Sequence, residues 1–363
     1  MKRVLLLGGT GAMGKYLANI LVEQNYEVYI TTRKKRQADN IHYYEGNAHD
    51  IEFIGGILSK NHWDAIVDFM VYGTAEFSNR FSLYLEATDQ YVYISSARVF
   101  ANVDSRITER SPRLLDVSTD KKYLLTDEYA LTKARQEDLL RNSYYKNWTI
   151  VRPYITFSED RLQLGVYEKE SWLYRALSGR PIIFSKDIAQ HYTTMTYGKD
   201  VALGIAGLIG NSRAIGEDFN IMTNETHTWS EILALYIDVL AKKTGTIPKV
   251  CYTEHAVNLR FNTLKYQVKY CRLFDRCFDN TKLMQTVPAL RFSSTLDTLQ
   301  RCLEQFIERG CFSGSTRVLN QAILDKVSGE YIPPKDIHGI RRRIGYIVYR
   351  CLPWFILKRV VYK

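Results

Sequence analysis

The stretch Val4-Leu5-Leu6-Leu7-Gly8-Gly9-Thr10-Gly11-Ala12-Met13-Gly14 constrains this chain more than any other. Four consecutive apolar residues predict a parallel strand buried on both faces. Gly8, Gly11 and Gly14 then predict a tight turn into a helix through Lys15-Tyr16-Leu17-Ala18-Asn19-Ile20-Leu21. Such a turn lets the backbone approach a pyrophosphate, while the helix N-terminus points N–H groups and the positive end of its dipole at it. The spacing is G-x-x-G-x-x-G, not the dehydrogenase G-x-G-x-x-G. Glycines also gather in ordinary turns; their place between a strand and a helix makes these a nucleotide-binding signal.

Strands and helices then alternate, the pattern of a doubly wound parallel sheet. Strands are predicted at Glu27–Thr31, His42–Glu45, Asp64–Phe69, Gln90–Ser96 and Trp148–Tyr154, with helices at Ile51–Leu58, Glu76–Leu85 and from Thr126. The second strand ends in Thr32-Arg33-Lys34-Lys35-Arg36, with no acid. An acid there accepts hydrogen bonds from a free ribose 2′-hydroxyl, whereas a base accommodates a 2′-phosphate. A solvated basic loop is the plain alternative; the pattern favours NADP over NAD. Residues 98–125 read as a loop reaching over the site. Tyr129 and Lys133, four apart, project from one helix face.

Beyond residue 155 the alternation breaks down. Helical patterns at Ser171–Leu177, Asp200–Ile209 and Trp229–Ala241, a strand near Asp218–Ile221 and a closing helix at Thr295–Glu308 suggest a smaller mixed domain. The predicted organisation is a dinucleotide-binding domain over 1–155, a substrate-binding region over 156–310 with some segments returning to the first domain, and a basic aromatic tail over 311–363.

Charge supports that division. Of the net +10, the chain from Lys335 onward carries eight Lys or Arg against one acid, a net of +7, while the rest has 41 bases against 38 acids. A near-neutral body argues against nucleic acid as the main partner. The apolar runs of the tail are interrupted by Arg350 and Pro353 and are too short to span a bilayer. They read either as an interfacial segment on anionic lipid or as a helix packed on the body or a dimer partner. Six cysteines without a C-x-x-C pair suggest neither a zinc site nor disulfides, and point to a reduced cytoplasmic setting. The opening apolar run stops at Gly8, short of a signal peptide's hydrophobic region.

Four motifs together resemble the extended short-chain dehydrogenase/reductase superfamily, in its nucleotide-sugar epimerase/dehydratase branch. They are the Gly8/Gly11/Gly14 turn, Ser95-Ser96-Ala97-Arg98-Val99-Phe100, Tyr129-x-x-x-Lys133 and Arg152-Pro153-Tyr154. The resemblance covers about residues 1–308. It implies a Rossmann-type fold and a nicotinamide cofactor. It also implies a small carbohydrate substrate, nucleotide-linked, in polysaccharide assembly. Tyr129 becomes the acid/base, Lys133 the ligand of the nicotinamide ribose and Ser96 the holder of the reacting oxygen. The cofactor cradle becomes Gly8, Thr10, Gly11, Ala12, Met13 and Gly14, then Arg33, Asn47, Ala48, Phe69, Met70, Ser95 and Pro153. A free tyrosine, with a pKa of about 10, is too weakly acidic to serve as a base at neutral pH; a neighbouring ammonium and an oxidised nicotinamide stabilise its phenolate.

The departures narrow the chemistry. The dehydratases' Asp-Glu pair after the strand serine or threonine is Ala97-Arg98 here, which argues against dehydration. Asn47 replaces the family's adenine-contacting acid. Tyr192–Tyr197 holds no Arg where relatives place one against the diphosphate; Arg175, Arg180 and His191 are the candidate substitutes. Ketoreduction and epimerisation remain. A cofactor-sensing regulator of the same fold is the alternative from another class.

Overall fold

The computed structural model describes residues 2–256, 264–310, 312, 318–333, 335, 337–353 and 355–356. Its centre is a seven-stranded, all-parallel sheet. Six strands follow the predicted series: β1 (Arg3–Leu7), β2 (Glu27–Thr32), β3 (Ile41–Glu45), β4 (Ala65–Asp68), β5 (Tyr91–Ile94) and β6 (Trp148–Arg152). The seventh, Glu217–Asn220, pairs with β6 and gives the order Glu217–Asn220, β6, β5, β4, β1, β2, β3. Chain direction along the sheet reverses between β1 and β4, which opens a crevice at their carboxyl ends.

Burial explains why these segments are strands. Every residue of β4 and β5 is buried, as expected of central parallel strands covered on both faces, while the edge strand β3 is half-exposed. In β1, Val4 and Leu6 enter one core with Leu17 and Leu21 of the helix Gly14–Glu23; Leu5 and Leu7 enter the other with Trp63 and Tyr91. Period-two alternation thus feeds two cores from one apolar run.

The described residues divide into two units. The first holds the chain up to Ser158, Thr194–Glu225 and Cys277–Thr295; the second holds Glu159–Thr193, Thr226–Arg276 and the chain from Leu296. The strand at 217–220 belongs to the first unit and extends the main sheet, not the mixed domain predicted for it. Phe219 and Ile221 fill the sheet core, and Glu217 pairs with Thr149 across the edge.

Three other expectations change. The helix predicted over Glu76–Leu85 is two short ones, Thr74–Ser78 and Phe81–Glu86. The break falls at Arg80, whose N–H bonds Phe77 O and whose side chain turns inward to three backbone carbonyls. The stretch after Arg98 is not a plain loop. It holds helical turns at Leu114–Val117 and Lys121–Leu124, and Ile107 bridges to Phe278 within the first unit.

Beyond Gly310, where the sequence predicts a basic aromatic tail, the helices Val318–Ser328 and Ile340–Cys351 belong to the second unit. Within that unit Asp325 is fully buried, ion-pairs with Arg175 and Arg180, and accepts the Tyr346 hydroxyl at 2.8 Å. Of the basic aromatic run Pro353–Arg359, Trp354 and residues 357–359 lie outside the described residues. Among the described residues no helix is long and apolar enough to cross a membrane.

Candidate active site

The glycine turn sits at the crevice between β1 and β4, and each of its three glycines has a different reason. Gly8 has φ +69°, where side chains are rarely tolerated, and a Cβ there would lie 2.8 Å from Met70 Sδ. At Gly14 a Cβ would stand 2.4 Å from Gly9 O, so the helix start closes directly onto the turn. Around Gly11 a Cβ would meet nothing within 4 Å. Protein packing therefore does not explain Gly11, and the open space beside it leaves room for a ligand's backbone-to-phosphate approach. No side chain caps the Gly14–Glu23 helix and no acid lies in its first turn, which leaves the positive dipole end available. The residues fit a dinucleotide's pyrophosphate.

A cavity of about 240 Å³ adjoins the turn. Its wall includes Gly8, Thr10, Arg33, Asn47, Ala48, Phe69 and Met70, all predicted for a cofactor cradle. Ala12 and Met13 lie in the adjoining turn and are not on this wall. Thr31, Thr32 and His49 line it as well and escaped the sequence reading. Gly8 N–H donates to Thr31 Oγ1 at 2.9 Å, which ties the turn to β2. Arg80 supports the opposite wall by donating to Ala48 O at 3.1 Å and His49 O at 2.9 Å, while Glu76 meets His49 Nδ1 at 2.7 Å. Gly198 was also missed. A Cβ there would lie 2.6 Å from Ala12 O, so a second helix packs its first residue against the turn.

Next to β5 the structure gathers Ser96, Arg98, Glu128 and Tyr129. Ser96 Oγ accepts the Arg98 N–H at 3.2 Å and caps the turn Ala97–Val99. The Arg98 guanidinium lies 5.2 Å from the Tyr129 ring centroid and ion-pairs with Glu128. Glu128 in turn caps the Tyr129–Arg141 helix by accepting the Ala130 N–H at 2.8 Å. Pro153 acts from behind: its carbonyl accepts the Ala97 N–H at 2.9 Å and clamps the same turn.

Lys133, one helical turn beyond Tyr129, is 2% exposed. Its Nζ donates to Ile94 O at 2.7 Å and lies 4.6 Å from the Tyr93 ring centroid. Burial pulls its pKa down to about 8, against the opposing charges of Asp68 and Glu137. Asp68, at the end of β4, is pushed up to about 6 by burial, although Tyr91 and the Met70 N–H donate to it and Lys133 favours its charge.

Ser95 is a correction. Its hydroxyl does not face the cavity but donates to Glu137 Oε1 at 2.6 Å, inside a buried ionic cluster. Burial opposes the charge of Glu137, yet the Arg152 guanidinium at 2.7 Å and the Ser95 hydroxyl hold its carboxyl below the usual range. Arg152 also donates to Asp218 at 2.8 Å. The Arg152-Pro153-Tyr154 motif is thus partly an ionic rivet between β6, the Tyr129 helix and the edge strand.

In the second unit, Arg175 and Arg180 are not free for a substrate diphosphate. Both are buried on Asp325, and Arg175 also donates to Pro181 O at 2.8 Å. His191 Nδ1 lies 3.0 Å from Asp275.

A parallel sheet in this order, with a glycine turn at its reversal point and an adjoining cavity, is the architecture of a Rossmann-type dinucleotide-binding protein. The chain belongs to the NAD-dependent epimerase/dehydratase family, whose sequence model matches residues 4–221. It is similar to the chloroplast stem-loop binding protein of 41 kDa b from Arabidopsis thaliana, with 27% identity over 61% of this chain. The chain spans 58% of that relative's length. Among solved structures it resembles an epimerase from Methanothermobacter thermautotrophicus at TM-score 0.64 and 17% identity, over 85% of this chain and 93% of that one. The UDP-glucuronic acid 4-epimerase of Bacillus cereus, in complex with UDP-glucuronic acid and NAD, is similar at TM-score 0.62 and 15% identity, over 85% of this chain and 100% of that one.

Proposed function

We propose that the protein is an NADP-linked ketoreductase or epimerase of a carbohydrate, most simply a nucleotide-activated sugar used in glycan assembly. One observation supports the reading: Arg98 donates its N–H to Ser96 Oγ at 3.2 Å and holds its guanidinium 5.2 Å from the Tyr129 ring centroid. A bound nicotinamide dinucleotide supplies hydride acceptance and donation. Ser96 orients the reacting oxygen by hydrogen bonding, and the Tyr129 phenol moves the hydroxyl proton. The Arg98 guanidinium, paired with Glu128, lies 5.2 Å from the Tyr129 ring centroid. Lys133, held by the Ile94 carbonyl, places a second cation on the same helix face. The Asp-Glu pair that includes a dehydratase's proton donor is Ala97-Arg98 here, which supports simple hydride exchange over dehydration. The Bacillus cereus relative's complex with a sugar nucleotide supports the substrate class.

Arg33, on the cavity wall after β2 with no acid beside it in sequence, supports the 2′-phosphorylated cofactor. The test is Tyr129→Phe in the full chain, assayed for reduction or epimerisation of a panel of sugar nucleotides and for NADPH binding. Turnover is expected to fall by about 10²–10⁴-fold with cofactor binding retained. Wild-type turnover in that variant would overturn the assignment. The relative named for stem-loop binding raises a second reading, a binding protein on the same fold; a wild-type chain inert on every sugar nucleotide would favour it.

A further inference from the structure

The helix Ile340–Cys351 presents two apolar faces, and among the described residues only one of them is covered. On the inner face Tyr346 is fully buried. It packs with Ala322 and Ile337, its hydroxyl donates to Asp325, and Tyr349 packs against the same cluster and against Ile323. At about 100° per residue, Ile340, Ile344, Ile347 and Cys351 fall in a narrow stripe roughly opposite Tyr346 and Tyr349. The three isoleucines are 73%, 57% and 42% exposed, and Cys351 is exposed as well.

Charge is arranged around that stripe. Arg341 borders it on one side, and Arg343 and Arg350 on the other. Arg343 and Arg350 are fixed in place by donating through Nε to Ile337 O at 2.7 Å and Glu330 O at 2.8 Å. Arg342 lies on the side away from the stripe, and the helix contains no acid. Phe355, just beyond it, is 67% exposed. An exposed isoleucine stripe bordered by arginines, on a helix whose other face is anchored, has the layout of an in-plane interfacial helix. A protein partner of matched apolar surface would bring its own acids to such a rim; an anionic lipid leaflet supplies the opposite charge uniformly and accepts the isoleucines into its acyl boundary.

We infer that this face docks the protein peripherally on an anionic membrane surface, with Ile340, Ile344 and Ile347 inserted and Arg341, Arg343 and Arg350 at headgroup level. The inference is independent of the proposed reaction. The experiment is flotation of the full chain with vesicles of phosphatidylcholine alone and of equimolar phosphatidylcholine and phosphatidylserine. Binding is expected to the anionic vesicles only, and to weaken as salt rises. The double variant Ile344→Glu/Ile347→Glu is expected to lose about tenfold or more of the vesicle affinity, since two inserted side chains become charged. Its thermal midpoint should match wild type because both positions are exposed. No flotation of wild type with anionic vesicles overturns the inference. So does equal flotation of the double variant, which would assign the attraction to the arginines alone, as nucleic acid binding would. A concentration-dependent dimer that the same two substitutions abolish, without vesicle binding, would give the stripe to a second copy instead.

Discussion

Replacing Arg33 with Ser tests the cofactor assignment where sequence and structure meet. Arg33 lies on the cavity wall immediately after β2, beside Thr31 and Thr32. A guanidinium–phosphate hydrogen bond contributes about 1.5–3 kcal/mol when well enclosed. Arg33 is exposed, so water and salt reduce this to the lower end. At about 1.4 kcal/mol per decade, the Kd for NADPH should rise about tenfold. NADH has no 2′-phosphate, so its Kd should change by less than about threefold. Titration of both cofactors by fluorescence, at low and at physiological salt, reads the difference directly. The NADPH effect should shrink as salt rises, because the lost interaction is between charges near the surface. Equal weakening of NADPH and NADH would refute the reasoning and make Arg33 a general part of the wall. Tighter NADH than NADPH binding by the wild type would refute it at the outset.

Two further outcomes follow from buried charge. Asp325 neutralises Arg175 and Arg180, so Asp325→Asn leaves two buried guanidiniums without a carboxylate and should cost the second unit about 3–5 kcal/mol, read by chemical denaturation. Replacement of Arg175, Arg180 and Asp325 together by apolar residues should recover most of that loss, and a near-neutral Asp325→Asn would refute the pairing's importance. The folded pKa of Lys133, about 8, lies below its ordinary 10.5. The unfolded chain therefore holds more protons between those values, and stability should rise with pH across that window by about 3 kcal/mol. Lys133→Met should flatten this rise relative to wild type in urea melts at pH 7.5 and 10; an unchanged slope would show that the ammonium is not buried.

The local patterns of the first half were legible because each depends on neighbours in sequence. β1, β2, β3 and the Ile51–Leu58 helix stand where alternation and turn residues placed them, within a residue or so. The cradle residues Gly8, Thr10, Arg33, Asn47, Ala48, Phe69 and Met70 also meet on one wall, since each follows a strand whose end faces the crevice. What failed involved partners far along the chain. Arg80 breaks a predicted helix to reach carbonyls about 30 residues away. Ser95 and Ser96 are adjacent, yet strand pleating sends one hydroxyl into the Glu137–Arg152 cluster and leaves the other to cap the next turn.

By itself, the sequence of this protein determined a doubly wound α/β sheet, its glycine turn, and a helix on which Tyr129 and Lys133 stand one turn apart. Those follow from periodicity, glycine geometry and motif spacing, all of which act over a few residues. Tertiary structure alone decided which charges are available. Arg175 and Arg180 read as substrate ligands until Asp325, some 150 residues on, takes both. The same long-range packing turns a basic tail into a helix with one face buried on Asp325 and the other open. Burial penalises an unpaired charge so heavily that its partner must come from wherever the fold brings one, and linear spacing carries no record of that.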